Sequence, residues 1–170
     1  PYANAGLIVN QKITRFRSAF DAFDTINEIE HQAFNAGGSN YSCPAQSTIA
    51  FVRGEEGLHQ TETSYRLGIT PARIDQLLPR DTVDALREAL KYFEKLIPGF
   101  MSSGVLLGVE TRVSSPVRFE RNPETFSSSL PGLYLAGEGA GYASGIISAA
   151  LDGLRLAETI LTGKPAKRKA

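Results

Sequence analysis

The stretch from Leu133 to Leu161 constrains this chain more than any other, because a short apolar run, a glycine-rich turn and an amphipathic helix follow one another without a break. Leu133 to Ala136 (L-Y-L-A) reads as a buried strand entered through Pro131-Gly132. It leads into Gly137-Glu138-Gly139-Ala140-Gly141. A helix is expected from about Gly145, with Ile147, Leu151, Leu154 and Leu161 on one face and Gly163 as its C-cap. Strand, glycine turn and helix start make a cradle for a phosphate or another cofactor group. Glycine lets the backbone approach a ligand because no Cβ stands in the way. The free N–H groups of a helix start, with the dipole behind them, favour negative charge or electron-rich oxygen.

The spacing Gly139-x-Gly141-x-x-x-Gly145 is a loosened form of the dinucleotide fingerprint. A complete dinucleotide unit needs a second parallel strand after the helix, with an acidic residue about 20 positions on. Here the helix pattern is followed by a short basic tail, Lys164 to Ala170. Glu138 also lies inside the turn, where a carboxylate sits poorly beside a pyrophosphate. A self-contained NAD(P)-binding protein therefore stays an alternative, and a turn that closes a binding site begun elsewhere fits better.

The rest of the chain reads as a helix-rich α+β unit. Ala5 to Val9 (A-G-L-I-V) is expected to be a short buried strand. Phe16, Phe20, Phe23, Ile26 and Phe34 recur mostly at helical spacing, and Gly37-Gly38 stops that helix. Such an aromatic stripe is the ordinary core face of a helix rather than a cofactor box. Thr48 to Val52 (T-I-A-F-V) is predicted as a strand, with Arg53 to Gly57 as a turn. Glu55 and Glu56 read as solvated turn residues, not as a catalytic pair. Thr70-Pro71 is expected to start a short helix that stops near Pro79. From Asp81, the residues Val83, Leu86, Leu90, Phe93 and Ile97 predict a longer helix ended by Pro98-Gly99. Leu106 to Val113 is predicted as a strand, Val117 to Phe119 as further extended chain, and Asn122 to Ser129 as a loop.

Composition excludes several classes. Lys plus Arg and Asp plus Glu both number 18, so no broad field favours nucleic acid or an anionic membrane. Cys43 is the only cysteine, and His31 and His59 are the only histidines, with no metal-ligand spacing between them. No metal site is expected. No apolar run is long enough for a membrane helix and no leader pattern opens the chain, which fits a cytoplasmic protein. The chain opens on Pro1 rather than Met, which reads as a proteolytic or artificial boundary.

Gly132 to Gly153 (G-L-Y-L-A-G-E-G-A-G-Y-A-S-G-I-I-S-A-A-L-D-G) closely resembles the C-terminal FAD motif of a family of bacterial FAD-dependent dehydrogenases, relatives of the glutathione-reductase-like flavoproteins. Glu110 to Arg118 (E-T-R-V-S-S-P-V-R) is similar to a second segment of that family, which usually has Thr where this chain has Val113. Asn40 to Gln46 (N-Y-S-C-P-A-Q) and Ser64 to Ala72 (S-Y-R-L-G-I-T-P-A) resemble its middle region. The resemblance covers nearly the whole chain. It implies an α/β chain: a substrate-side α+β region over residues 1–109, the C-terminal segment of an FAD-binding domain over 110–163, and the tail over 164–170. The family's pyrophosphate-holding G-x-G-x-x-G turn lies upstream and has no equivalent here. The chain thus looks like the C-terminal part of an FAD-dependent oxidoreductase that transfers hydride at the flavin, with FAD held by the parent protein and not retained by this chain alone. Its expected partners are the missing remainder of the FAD domain and a small-molecule substrate. A folded, non-catalytic interaction module derived from the same family is a further alternative.

The resemblance also distributes roles. Gly137, Glu138, Gly139, Gly141, Gly145, Ile146 and Ile147 become the cofactor-binding candidates. Glu138 matches the acid that reaches the ribityl chain, and a carboxylate suits ribityl hydroxyls. A plain surface carboxylate in an ordinary left-handed turn is the competing reading. Backbone N–H groups near Gly145, Ile146 and Ile147 would face the pyrimidine edge of the flavin. Arg112, Ser114, Ser115 and Tyr142 are the substrate-side candidates. Arg112 suits an anionic substrate because its guanidinium can bind a carboxylate through two bonds, and it equally suits an ion pair with Glu110. No residue stands out as catalytic acid, base or nucleophile.

Overall fold

The computed structural model describes residues 2–12, 15–60 and 62–165. Helices and a small mixed sheet make an α/β fold. The chain divides into two compact units, one of Pro1–Arg15 with Asp24–Thr111, the other of Phe16–Phe23 with Arg112–Ala170.

The first unit is built on a three-stranded sheet of order β2-β1-β3, with β1 at Cys43–Ser47, β2 at Ile69–Pro71 and β3 at Val105–Leu107. β1 pairs parallel with β2, Cys43 opposite Ile69, and antiparallel with β3, Ala45 opposite Leu107. Its helices are α1 (Ala19–Ala36, whose first residues cluster with the second unit), α2 (Thr48–Arg53), α3 (Ile74–Leu77) and α4 (Arg80–Leu96). Phe51, Ile74, Val83 and Leu90 form the core. α4 follows its sequence pattern, burying Val83 and Leu90 from one face. α1 likewise stops at Ala36, where Gly38 takes a φ of +90°.

Four expectations need correction here. Residues 5–9 form no strand; the sheet offers them no ladder partner, so Leu7 rests on the core as irregular chain while Ile8 is exposed. Thr48 to Val52 is helical, not extended, and the strand is the segment just before it. The Thr48 hydroxyl bonds to the carbonyls of Met101 and Gly104, which turns the chain out of the sheet and lets Phe51 reach the core. Tertiary packing there overrides a β-prone composition. Thr70 and Pro71 lie in β2, and the helix begins at Ile74. β2 is an edge strand, where a proline without an N–H is tolerated. β3 ends at Leu107, so residues 108–113 are not strand.

In the second unit, α5 spans Ile146–Thr162, with Gly145 at its N-cap and Gly163 as a left-handed C-cap. Leu133 to Ala136 is reduced from the expected strand to one antiparallel bridge, Tyr134 opposite Ser127. It has a neighbour on one side only, so Leu133 and Tyr134 stay partly exposed. Val117 to Phe119 also carries no strand. Among the described residues no strand follows α5. Of the expected tail, Lys164 and Pro165 are exposed coil, and the remainder lies outside the described residues.

Candidate functional site

The glycine turn is shaped by its own backbone at two positions. Gly137 has a φ of +75° and Gly141 of +80°, in the left-handed region that favours glycine. At Gly141 space enforces the same choice, since a Cβ would lie 2.5 Å from the Val117 carbonyl oxygen and 2.8 Å from Arg118 Cα. The turn closes through Gly141 N–H to the Glu138 carbonyl at 2.8 Å and Tyr142 N–H to the Gly137 carbonyl at 3.1 Å.

Gly139 is different. Its φ is not in the left-handed region, and nothing lies within 4 Å of where its Cβ would stand. The chain's own fold gives no reason for glycine there. The backbone N–H groups of Glu138, Gly139 and Ala140 have no acceptor among the described residues, and neither does the Glu138 side chain any partner. The N–H groups of Ile146 and Ile147, at the start of α5, have no intrahelical acceptor by helix geometry. Space beside Gly139, unpartnered donors and a free carboxylate acceptor fit the hydroxyls and oxygens of a flavin nucleotide.

Two residues that the sequence reading did not single out hold this turn. Asp152, on α5, accepts the Gly137 N–H at 2.8 Å and both terminal nitrogens of Arg121, at 2.7 and 2.9 Å. Arg121 also donates to the Leu135 carbonyl at 2.7 Å. Its guanidinium carbon lies 3.5 Å from the Tyr142 ring centroid and 4.3 Å from that of Phe126. The hydrogen bonds from Arg121 hold the Asp152 carboxyl below the usual carboxylate range, against the opposing effect of burial. No local signal marks Asp152, which shares its helix face with the partly buried Leu156, and its arginine partner, 31 positions earlier, has no periodicity to reveal it.

The substrate-side candidates are placed unevenly. Tyr142 donates its hydroxyl to the Phe119 carbonyl at 2.8 Å and lies beside Arg118 and Arg121. Ser115 donates to the Val117 carbonyl at 2.7 Å, the same carbonyl that approaches Gly141. Arg112 and Ser114 are exposed. In the first unit Glu55 and Glu56 are exposed, as a solvated turn requires. Cys43 is half-buried, and burial pushes its thiol up. Among the described residues no cluster of His, Cys, Asp or Glu could hold a metal, and no helix is long and apolar enough to cross a membrane.

Residues 1–113 match the model of the family described as FAD-dependent protein, C-terminal domain-like. That match takes in the segments around Asn40 and Ser64 and stops before the glycine turn. The chain is also 38% identical over 164 residues to an uncharacterized protein of Clostridium beijerinckii (strain ATCC 51743 / NCIMB 8052). The alignment covers 94% of this chain, so it takes in the turn as well. The chain spans 31% of the length of that relative.

Proposed function

The chain belongs to the family of FAD-dependent proteins that share this C-terminal domain, and from that premise we propose that it is the C-terminal part of an FAD-dependent oxidoreductase. The first unit is the substrate-side region and the second closes the flavin site. The observation that carries this reading is Gly139, a glycine with open space around it in a turn whose other glycines the backbone itself demands.

When bound, FAD supplies the redox chemistry by accepting or giving up a hydride. The chain's own residues bind and orient it. Glu138 accepts hydrogen bonds from ribityl hydroxyls. The backbone at Gly139 allows close approach, in a turn whose course Gly137 and Gly141 set. The start of α5, at Gly145, Ile146 and Ile147, presents N–H groups and a positive dipole end to electron-rich oxygen. Arg112, Ser114, Ser115 and Tyr142 serve the substrate side, where the Arg112 guanidinium suits an anionic small molecule. The partner is the remainder of a longer FAD-binding protein, working in the cytoplasm.

The test compares Glu138→Ala with Glu56→Ala in the longer protein. A hydrogen bond to a charged acceptor contributes about 1.5–3 kcal/mol, so losing Glu138 weakens FAD binding by roughly ten- to a hundredfold. Glu56 is exposed in the first unit, and its loss leaves FAD affinity unchanged. Titration of each apoprotein by flavin fluorescence gives the answer. Equal affinities would remove Glu138 from the site.

A further inference from the structure

Resting on the flavin reading above, we infer that Arg121 and Asp152 are positioning residues that set the course of the glycine turn. Their contacts fall on both of its ends. On the entering side, Arg121 holds the Leu135 carbonyl at 2.7 Å, and Asp152 holds the Gly137 N–H at 2.8 Å. These two anchors flank Ala136 and fix the peptide units that deliver the turn. On the leaving side, the guanidinium carbon lies 3.5 Å from the ring centroid of Tyr142, the residue after Gly141. The Tyr142 ring is held in turn by its hydroxyl on the Phe119 carbonyl.

Stability alone does not account for such a pair. The side chains are 8% and 12% exposed. Charges at that depth lose their hydration, and apolar replacements of similar volume are often as stable or more so. Arg121 Nε is buried with no hydrogen-bond partner among the described residues, while both terminal nitrogens are directed to Leu135 and Asp152. What the ion pair supplies that apolar packing would not is direction. It orients one carbonyl and one N–H, and so decides which way Glu138 and Gly139 leave the segment that ends at Ala136. Asp152 is well suited to this because it sits on the same helix whose start belongs to the candidate site, and Ala149 of that helix lies 3.8 Å from the Cβ position of Gly137. The pair thus keeps turn and helix start in one register.

The test uses the longer protein that carries this chain, with the double variant Arg121→Met/Asp152→Ala and the single variant Arg121→Lys. Three quantities are read: the thermal midpoint of the apoprotein, amide hydrogen exchange at Gly137 and Tyr142, and FAD affinity together with the visible spectrum of the bound flavin. The double variant is expected to keep a midpoint near that of the wild type. Its amides at Gly137 and Tyr142 exchange about tenfold faster or more, as local opening requires, and FAD binds about tenfold more weakly with altered visible bands. Arg121→Lys keeps Asp152 paired, so protection at Gly137 returns. Should the double variant fail to fold, Asp152→Asn carries the same readouts with a smaller perturbation. Unchanged exchange and unchanged FAD affinity would overturn the inference while leaving the flavin reading intact. Wild-type protein that takes up no FAD would overturn that reading, and this role with it.

Discussion

Glycines 139 and 141 are two positions apart, yet the structure asks opposite things of them. Gly141 has a φ of +80° and backbone atoms 2.5 and 2.8 Å from its Cβ position. A left-handed conformation costs a non-glycine residue about 1–3 kcal/mol, and the clash adds to it. Gly141→Ala is therefore expected to lower the thermal midpoint by several degrees. Gly139→Ala meets nothing within 4 Å, and its reduced chain entropy when unfolded makes it neutral or slightly stabilising, by up to about 1 kcal/mol. In the longer protein, that same alanine is expected to weaken FAD binding, because on the proposed reading it fills space that the cofactor takes. Thermal denaturation and flavin titration of both variants separate the two roles. A Gly139→Ala variant with lowered stability and normal flavin affinity would reverse the assignment. In the sequence these glycines were equivalent letters; backbone torsions and neighbouring atoms distinguish them.

Helix α5 was legible as an element, down to Gly145 and Gly163 at its caps, because capping glycines and a repeating apolar face are local signals. Which face it buries was not. Ile147 is 73% and Leu161 85% exposed, with Leu151 and Leu154 also open to solvent, whereas Asp152 and Thr159 are buried. Together with exposed Leu130 and Leu133 this leaves a large apolar surface on the second unit. The chain on its own is expected to self-associate, and Leu154→Glu, which places a charge on that face, to shift the equilibrium toward monomer by about tenfold or more. Sedimentation velocity over a concentration series measures this. A wild-type chain that stays monomeric at high concentration would show that this face needs no cover. Strands were read less well than helices. A strand of three to five residues is defined by its ladder partners, and those for β1 come from segments about 25 and 60 positions away.

At the scale of the whole molecule, the chain spans 31% of the length of its Clostridium relative, and its sequence contains no G-x-G-x-x-G to hold a pyrophosphate. FAD offered to this chain alone is therefore expected to separate from it. Gel filtration with excess FAD, followed by flavin absorbance in the protein peak, reads the outcome. Co-elution at one flavin per chain would mean that this chain holds the cofactor unaided. The sequence by itself determined the α/β class, the end of α1, the extents of α4 and α5, the turn between Ala136 and Tyr142, and the relation to FAD-dependent proteins. These are carried by periodicity, caps and short contiguous motifs, all local in the chain. Tertiary structure alone decided that Thr48 to Val52 is helical, that Thr70 and Pro71 are strand, and that residues 5–9 pair with nothing. It alone joined Arg121 to Asp152 beneath the turn. Hydrogen-bond partners and burial belong to segments distant in sequence, and no window of neighbouring residues contains both halves of such a contact.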